Sequence, residues 1–137
     1  MREWAEFTIE QLGKVITGKT PSKDNPEEWG DAYNFITPSD YGAYNKLALS
    51  SIRKLSDTGY FKHKSRLIPA NSLLVTCIGS DMGKVVKNVH PSFTNQQINS
   101  FIPNENLVNS DFIYYFFKSS ESYLKNLGSD GSAVPIL

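Results

Sequence analysis

The sequence predicts an α+β fold, a single domain with a mixed or antiparallel β-sheet and few helices. Its 137 residues suit one ordinary domain. Hydrophobic residues make up 39% of the chain and charged residues 20%, a composition that supports a buried core and excludes a disordered tail. Strand-like and helix-like stretches follow one another without the regular alternation that a parallel α/β sheet requires.

Strands are indicated most clearly in the middle of the chain. Residues 71–78 and 84–89 contain two apolar runs, separated by a loop with a glycine at each end. This pattern predicts two adjacent antiparallel strands. Residues 98–102 and 33–37 predict two more strands, each stopped by a proline that follows it directly.

Helices are predicted near both ends of the chain. A capping-box pattern, with threonine at the cap and glutamine three residues later, predicts a short helix over residues 8–14. Ser110 is predicted to cap a second helix, with Asp111 in its first turn and Gly128 at its end, because the apolar residues between them recur at helical spacing. Residues 40–66 are predicted to be rich in loops, with a turn at residues 57–60.

The sequence contains no recognisable pattern for catalysis or metal binding. The loop at residues 79–83 is one residue too short for a phosphate-binding loop, and Val85 stands where that motif needs a serine or threonine. Neither His63 nor His90 has a partner at metal-ligand spacing. Cys77 is the single cysteine, its surroundings indicate an inert thiol in a buried strand, and an internal disulfide is excluded. We therefore expect no enzyme activity, no metal and no cofactor.

The sequence shows no targeting or membrane segment. Arg2, Glu3 and Glu6 interrupt any apolar stretch at the start of the chain. No apolar run is long enough to span a bilayer. These observations predict a soluble cytoplasmic protein that does not contact membranes.

Charge is unevenly distributed along the chain, although the net charge is zero. Residues 1–40 carry four Lys or Arg against eight Asp or Glu, whereas residues 46–66 carry six Lys or Arg against Asp57 alone. A nucleic-acid-binding domain needs cations gathered on one face, and it does not need a basic chain. The alternative interpretation of residues 46–66 is an ordinary solvated face of a mixed domain.

Short motifs occur in a fixed order along nearly the whole chain. They are Trp4, Leu-Gly at 12–13, Gly-Lys-Thr-Pro-Ser at 18–22, Phe-Ile-Thr-Pro-Ser-Asp-Tyr at 35–41, Ile-Pro-Ala-Asn-Ser-Leu-Leu-Val at 68–75, Gly-Ser-Asp-Met-Gly-Lys at 79–84, Thr-Asn-Gln-Gln at 94–97, Asp-Phe-Ile-Tyr-Tyr at 111–115 and a Gly-Ser segment at 128–137. The ordered set resembles the recognition domains of type I restriction-modification specificity subunits. Asn71 stands where that family usually has glycine, and asparagine also tolerates a positive φ.

The resemblance implies that residues 1–137 form one target-recognition domain with the fold of the DNA-methylase specificity domains. In that family, spacer helices hold two recognition domains apart, and each domain reads one half of a split DNA site. The implied partners are double-stranded DNA, modification subunits that carry the methyltransferase and, through them, a restriction subunit. Because the spacer helix and the second domain are missing from this sequence, we expect a natural fragment, an engineered piece or a truncated gene product.

The candidate DNA contacts combine three kinds of side chain. Lys and Arg neutralise phosphates, small polar groups donate to phosphates, and amides reach base edges, so a hairpin tip and an Asn-Gln stretch are included beside the basic run. The candidates are Lys19, Thr20, Ser22, Lys23, Lys62, His63, Lys64, Arg66, Ser80, Lys84 and Gln96. The competing interpretation is that these residues belong to ordinary loops, or satisfy buried backbone groups between strands.

Two other functions remain open at the level of sequence. The first is a protein-interaction role, in which the chain binds modification or specificity subunits without reading DNA; the zero net charge favours it. The second is an uncharacterised enzyme. Salt-dependent binding to duplex DNA separates DNA recognition from both.

Overall fold

The computed structural model describes residues 5–77, 83–119 and 133–136, and the description that follows concerns these residues. The strands are β1 (Ala5–Thr8), β2 (Gly13–Thr17), β3 (Trp29–Gly30), β4 (Tyr33–Ile36), β5 (Leu47–Ala48), β6 (Arg53–Leu55), β7 (Leu73–Thr76), β8 (Val85–Asn88), β9 (Ser92–Thr94), β10 (Ile98–Pro103) and β11 (Ala133–Ile136). The helices are α1 (Ile9–Leu12), α2 (Asp57–His63) and α3 (Ser110–Ser119), with single 3-10 segments at Pro26–Glu28, Pro38–Ala43 and Lys64–Arg66. The predicted α+β fold is therefore confirmed.

A five-stranded sheet forms the centre of the fold, in the order β2-β10-β7-β8-β5. Its neighbours are antiparallel except for the parallel pair of β5 and β8. The predicted pairing of the two middle runs is confirmed, because Leu74 of β7 lies opposite Val86 of β8 in an antiparallel ladder. The predicted strand at residues 98–102 is also confirmed, as β10.

A four-stranded sheet, β3-β6-β4-β9, and a separate pair, β1 with β11, complete the β-structure of the described residues. The predicted strand at residues 33–37 is confirmed as β4, which pairs with β9 in parallel and with β6 in antiparallel orientation. Strand β1 pairs with β11 in antiparallel orientation.

Both faces of the five-stranded sheet are covered. All four residues of β7 are buried, and alternate residues point to opposite faces. Leu73 and Val75 pack with Ile113 and Phe117 of α3 on one face. On the other face, Leu74 belongs to a cluster that includes residues of β4, β5, β8 and β10. The central sheet is thus enclosed between α3 and the four-stranded sheet.

A third apolar cluster lies on the four-stranded sheet. It contains the fully buried Phe35 and Leu55, and the half-buried Tyr60 of α2 packs against it. Helix α2 therefore sits at a fixed position beside β3 and β6, because one side of it is part of this core.

The prediction of a turn at residues 57–60 was wrong, because these residues begin helix α2. Ser56 caps the helix, and its Oγ accepts a hydrogen bond of 3.1 Å from the amide of Gly59. Gly59 is buried, and a Cβ at this position would collide with the backbone carbonyl of Glu28. Gly59 thus allows helix α2 to approach the backbone of Glu28 closely. In the sequence, the residues around this glycine indicated a turn.

The predicted helix at residues 8–14 was too long. Helix α1 ends at Leu12, and the next five residues form β2, an edge strand paired with β10. The β-branched Val15 and Ile16 suit that pairing, so long-range strand contacts outweigh the local helix signal. The loop-rich prediction for residues 40–66 was also partly wrong, since this stretch contains β5, β6 and α2.

The predicted cap of α3 was one residue late, because the helix begins at Ser110 and Asn109 caps it. The Oδ1 of Asn109 accepts hydrogen bonds from the amides of Asp111 and Phe112 at 2.9 and 3.2 Å. The predicted end at Gly128 lies outside the described residues.

A buried asparagine fixes the turn that leads into β7. Asn88 is fully buried, and its Nδ2 donates to the carbonyls of Ile68, Pro69 and His90 at 3.3, 3.0 and 3.1 Å. Its Oδ1 accepts a bond of 2.8 Å from the amide of Ser72. Within this turn Asn71 has a φ of 68°, so the positive φ anticipated for this residue is confirmed.

We predict that Asn88→Ala lowers the free energy of unfolding by about 3 kcal/mol or more, because it leaves several buried backbone groups without partners. Asn45→Ala is the matched control, since Asn45 is exposed, and its effect should be small. Urea denaturation of both variants and the wild type measures the difference. Equal midpoints for the two variants would contradict the structural role of Asn88.

Candidate nucleic-acid interface

One end of the five-stranded sheet gathers loops from distant parts of the chain. Strands β2 and β7 end there, and β10 and β8 begin there, because these four strands are antiparallel to their neighbours. We call this region the loop end and define it by residues 17–20, 76–77, 83–84 and 95–97. Backbone hydrogen bonds tie these segments together: the amide of Lys19 donates to Thr94 O at 3.0 Å, and the amide of Cys77 donates to Gln97 O at 2.9 Å.

A groove beside the loop end joins two of the predicted contact segments. It has a volume of about 470 Å³, and helix α2 forms one wall while the segment after β2 forms the other. The predicted contact residues in its lining are Lys19, Thr20, Ser22, Lys62 and His63. Residues that are far apart in sequence therefore share one concave surface.

A buried carboxylate that sequence reasoning missed also lines this groove. The side chain of Glu28 is 3% exposed, and its Oε1 lies 2.6 Å from His63 Nε2. Its Oε2 lies 3.4 Å from Lys62 Nζ. The hydrogen bond from His63 holds the pKa of the Glu28 carboxyl below its usual value of 4.5, against the opposing effect of burial. A glutamate in a polar loop gave no sequence signal for such a pairing.

The basic run of residues 46–66 does not form one continuous face. Lys46 pairs with Asp111 of α3 at 3.0 Å, and the guanidinium of Arg53 lies 4.8 Å from the ring centroid of Trp29. Lys62 is engaged by Glu28. The exposed cations Lys64 and Arg66 follow α2 directly. The charge pattern along the sequence therefore predicted more cations on the candidate surface than the structure places there.

Arg66 connects the end of α2 to the loop end. Its Nη1 donates a hydrogen bond of 2.7 Å to the carbonyl of Thr17, the last residue of β2. Lys64 Nζ lies 5.5 Å from the ring centroid of the exposed Phe61. Both cations remain exposed, as do Lys19 and Lys23 in the segment after β2. Of these four cations, Lys19 lines the groove, and Arg66 reaches the loop end through its hydrogen bond to Thr17.

Threonine hydroxyls hold two carboxamide side chains, Gln96 in the loop end and Asn99 in the adjoining part of β10. Thr20 Oγ1 donates to Gln96 Oε1 at 2.6 Å, and Thr17 Oγ1 donates to Asn99 Oδ1 at 2.6 Å. Gln96 was among the predicted contacts, whereas Thr17 and Asn99 were not. The pairing of β2 with β10, which sets Thr17 opposite Asn99, is the feature that brings them together.

Lys84, another predicted contact, directly precedes β8. Lys84 is exposed, and its carbonyl accepts a hydrogen bond of 3.0 Å from the amide of Thr76. Ser80 lies outside the described residues. Cys77 is half-buried and directly follows β7, and burial raises the pKa of its thiol.

The described part of the chain contains neither a metal cluster nor a membrane-spanning helix. No three His, Cys, Asp or Glu side chains among the described residues come together in an arrangement suited to a metal ion. Every helix described is too short or too polar to cross a lipid bilayer.

Comparison with known proteins identifies the family. The family model described as "Type I restriction modification DNA specificity domain" matches residues 1–137. The chain belongs to this family. The resemblance predicted from the ordered motifs is therefore confirmed.

Relatives of this family domain come from distant organisms. The chain is 39% identical over 136 residues to the type I restriction enzyme HindI specificity subunit of Haemophilus influenzae, and 32% identical over 139 residues to the MjaIX specificity subunit of Methanocaldococcus jannaschii. These matches cover 97% and 99% of the chain, but only 29% and 32% of the two relatives. The chain thus spans about a third of the length of the relatives that it matches.

Solved structures show the same fold at low sequence identity. The HsdS subunit of Thermoanaerobacter tengcongensis superposes with a TM-score of 0.71 at 11% identity, over 97% of this chain and 33% of that one. The S subunit from M. genitalium superposes with a TM-score of 0.60 at 14% identity, over 98% of this chain and 34% of that one. These likenesses establish the specificity-domain fold for the chain.

We predict that Glu28→Gln reduces stability most strongly near neutral pH. Because the pKa of Glu28 is lowered in the folded state, its contribution is present above pH 4.5 and is lost as the pH falls through the folded-state value. The difference in unfolding free energy between wild type and variant should therefore shrink as the pH falls. Urea titrations in buffers from neutral pH to well below 4.5 measure this.

Glu27→Gln is the matched control, since the side chain of Glu27 is exposed. If Glu28→Gln and Glu27→Gln show the same pH dependence, the buried pair does not stabilise the fold.

Proposed function

We propose that this specificity domain recognises one half of a bipartite DNA site, with the loop end and its adjoining groove as the contact surface. The observation that carries the proposal is the convergence of two distant segments on one groove, which is lined by Lys19, Lys62 and His63 together with polar side chains, while Arg66 binds the carbonyl of Thr17 at the loop end. The names of the relatives, type I restriction enzyme specificity subunits, support the same function.

The surface contains groups suited to both parts of DNA recognition. Exposed Lys and Arg neutralise phosphates and fix the position of the protein on the duplex, without reading sequence. Polar side chains such as Gln96 and Lys84 then reach base edges, where the major groove displays a different pattern for each base pair. Glu28 lowers the positive charge of one wall, because it engages Lys62 and His63. The remaining exposed cations therefore supply most of the phosphate attraction in this proposal.

The chemistry of restriction and modification is assigned to partner subunits in this proposal. A modification subunit transfers the methyl group, a restriction subunit cleaves DNA, and this chain supplies specificity. The lack of catalytic patterns in the sequence supports this division. Highly purified chain should therefore transfer no methyl group from S-adenosylmethionine to duplex DNA, and a radiolabelled transfer assay measures this. Methylation by the chain alone would contradict the division.

We predict that replacing Lys19 and Lys64 by alanine flattens the salt dependence of DNA binding. Removal of one cation that neutralises a phosphate should reduce the slope of log affinity against log salt by about 0.9, so the double variant should show a slope shallower by about 1.8. Affinity should fall alike for all sequences, because phosphates carry no sequence information. Fluorescence anisotropy with several duplexes, from about 50 to about 200 mM salt, measures the slope.

Lys14→Ala is the matched control for this experiment. Lys14 is exposed and lies near the start of β2, at the opposite end of the strand from Lys19. The control should retain the wild-type slope. Equal slopes for the double variant and the wild type would show that the loop end faces away from DNA. A chain that binds no duplex at low salt would instead favour the protein-interaction function.

A further inference from the structure

We infer that Gln96 reads the major-groove edge of a guanine and that Thr20 is the positioning residue that sets its orientation. This inference rests on the proposed function and goes beyond it, because it assigns a base and a hydrogen-bonding pattern to one side chain. Thr20 was selected from the sequence as a small polar group that donates to phosphates. Its hydrogen bond to Gln96 gives it a different role.

The geometry around Gln96 fixes which atoms of its amide face outward. The hydroxyl of Thr20 donates to Gln96 Oε1 at 2.6 Å, so the carbonyl end of the amide points towards the protein. A primary amide is planar, and its NH₂ group therefore points away from Thr20. Gln96 is exposed, which leaves both hydrogens of this group available to a ligand. The pair thus presents two donors at the loop end.

The position of this pair suits a base edge. Gln96 lies between Thr94, whose carbonyl binds the amide of Lys19, and β10. Thr20 lines the groove beside Lys19 and Ser22. In the inferred complex, the cations near the loop end hold the phosphates, and Gln96, which neighbours them at the end of the sheet, reaches a base edge.

Guanine is the base whose pattern fits the outward donors. Its major-groove edge displays two neighbouring acceptors, N7 and O6. Adenine displays an acceptor, N7, and a donor, the N6 amine. A glutamine that binds adenine at both groups must therefore use its amide nitrogen as donor and its amide oxygen as acceptor. Thr20 already occupies one side of the Gln96 oxygen. The fixed orientation therefore favours guanine over adenine.

Thr20 acts by restricting the side chain of Gln96 to one orientation. A free glutamine side chain rotates among several rotamers, and ordering it on binding costs free energy. The hydroxyl of Thr20 orders the amide before DNA arrives, and its only hydrogen is used in doing so. That hydroxyl cannot donate to a phosphate at the same time, so removal of the hydroxyl should change base preference and leave the salt slope unchanged.

The test is selection of duplexes from a randomised pool by the full chain, followed by sequencing of the bound fraction. The wild type should enrich guanine at one position. In Gln96→Glu, one carboxylate oxygen still accepts the hydrogen bond from the hydroxyl of Thr20, and the other oxygen replaces the outward donors by an acceptor. This variant should therefore enrich cytosine, whose N4 amine donates. The ratio of guanine to cytosine at that position should change by about tenfold or more.

Two further variants isolate the role of Thr20. Thr20→Val keeps the shape and loses the hydroxyl, so the enrichment of guanine over adenine should fall several-fold while the salt slope is unchanged. Thr20→Ser restores the hydroxyl and should restore the enrichment. Asn106→Asp is the control for added negative charge, because Asn106 is exposed and follows the far end of β10. It should retain the wild-type preference.

The outcomes separate this inference from the proposed function. A wild type that enriches one sequence, together with a Gln96→Glu variant that enriches the same sequence, overturns the inference and leaves DNA recognition intact. A switch in Gln96→Glu with no change in Thr20→Val overturns the positioning role of Thr20. A wild type that binds no duplex, or binds all duplexes alike, overturns the proposed function itself.

Discussion

The burial of β7 on both of its faces is the constraint on which the rest of the structure depends. Its residues alternate between the cluster under α3 and the cluster against the four-stranded sheet. A strand enclosed in this way has no free surface along its length, so loops that serve a ligand must emerge where the strands end. The loop end is therefore a consequence of how the core is built, and the antiparallel order brings residues from β2, β7, β8 and β10 to it.

The parts of the fold that sequence predicted are those with a local signal. The apolar runs of β7 and β8, the strand β10 and the apolar face of α3 each follow from composition and spacing within a few residues. The missed elements depend on distant partners. Helix α2 was mistaken for a turn because Gly59 is required by a close approach to Glu28, which lies far earlier in the chain. The first two residues of β2 were predicted as the end of a helix because the pairing of β2 with β10 was not visible in the sequence.

The sequence predicted the residue types of the candidate site, but it predicted their arrangement in space only in part. Residue types and the family motifs indicated cations and amides in the segments that the structure brings together around the groove. The sequence did not indicate that Lys46 and Arg53 are used elsewhere, in contacts with Asp111 and Trp29. It also did not indicate Glu28, because the partner of a buried carboxylate is chosen in three dimensions. Cations that are close in sequence need not share one surface of the folded chain. Counting them along the sequence therefore overstates the positive electrostatic potential of the candidate surface.

The separation of the loop end from the apolar clusters has a consequence for how such domains evolve. The exposed side chains Lys19, Lys64 and Gln96 lie outside all three clusters, and substitutions at exposed positions of this kind usually change stability by less than about 0.5 kcal/mol. Asn88 and Gly59, in contrast, are fixed by contacts that tolerate little change. A lineage with this architecture is free to acquire new ligand preferences one surface residue at a time, while selection on the scaffold continues unaltered. Residues of the loop end then change faster over evolution than residues of the buried scaffold in the same short chain.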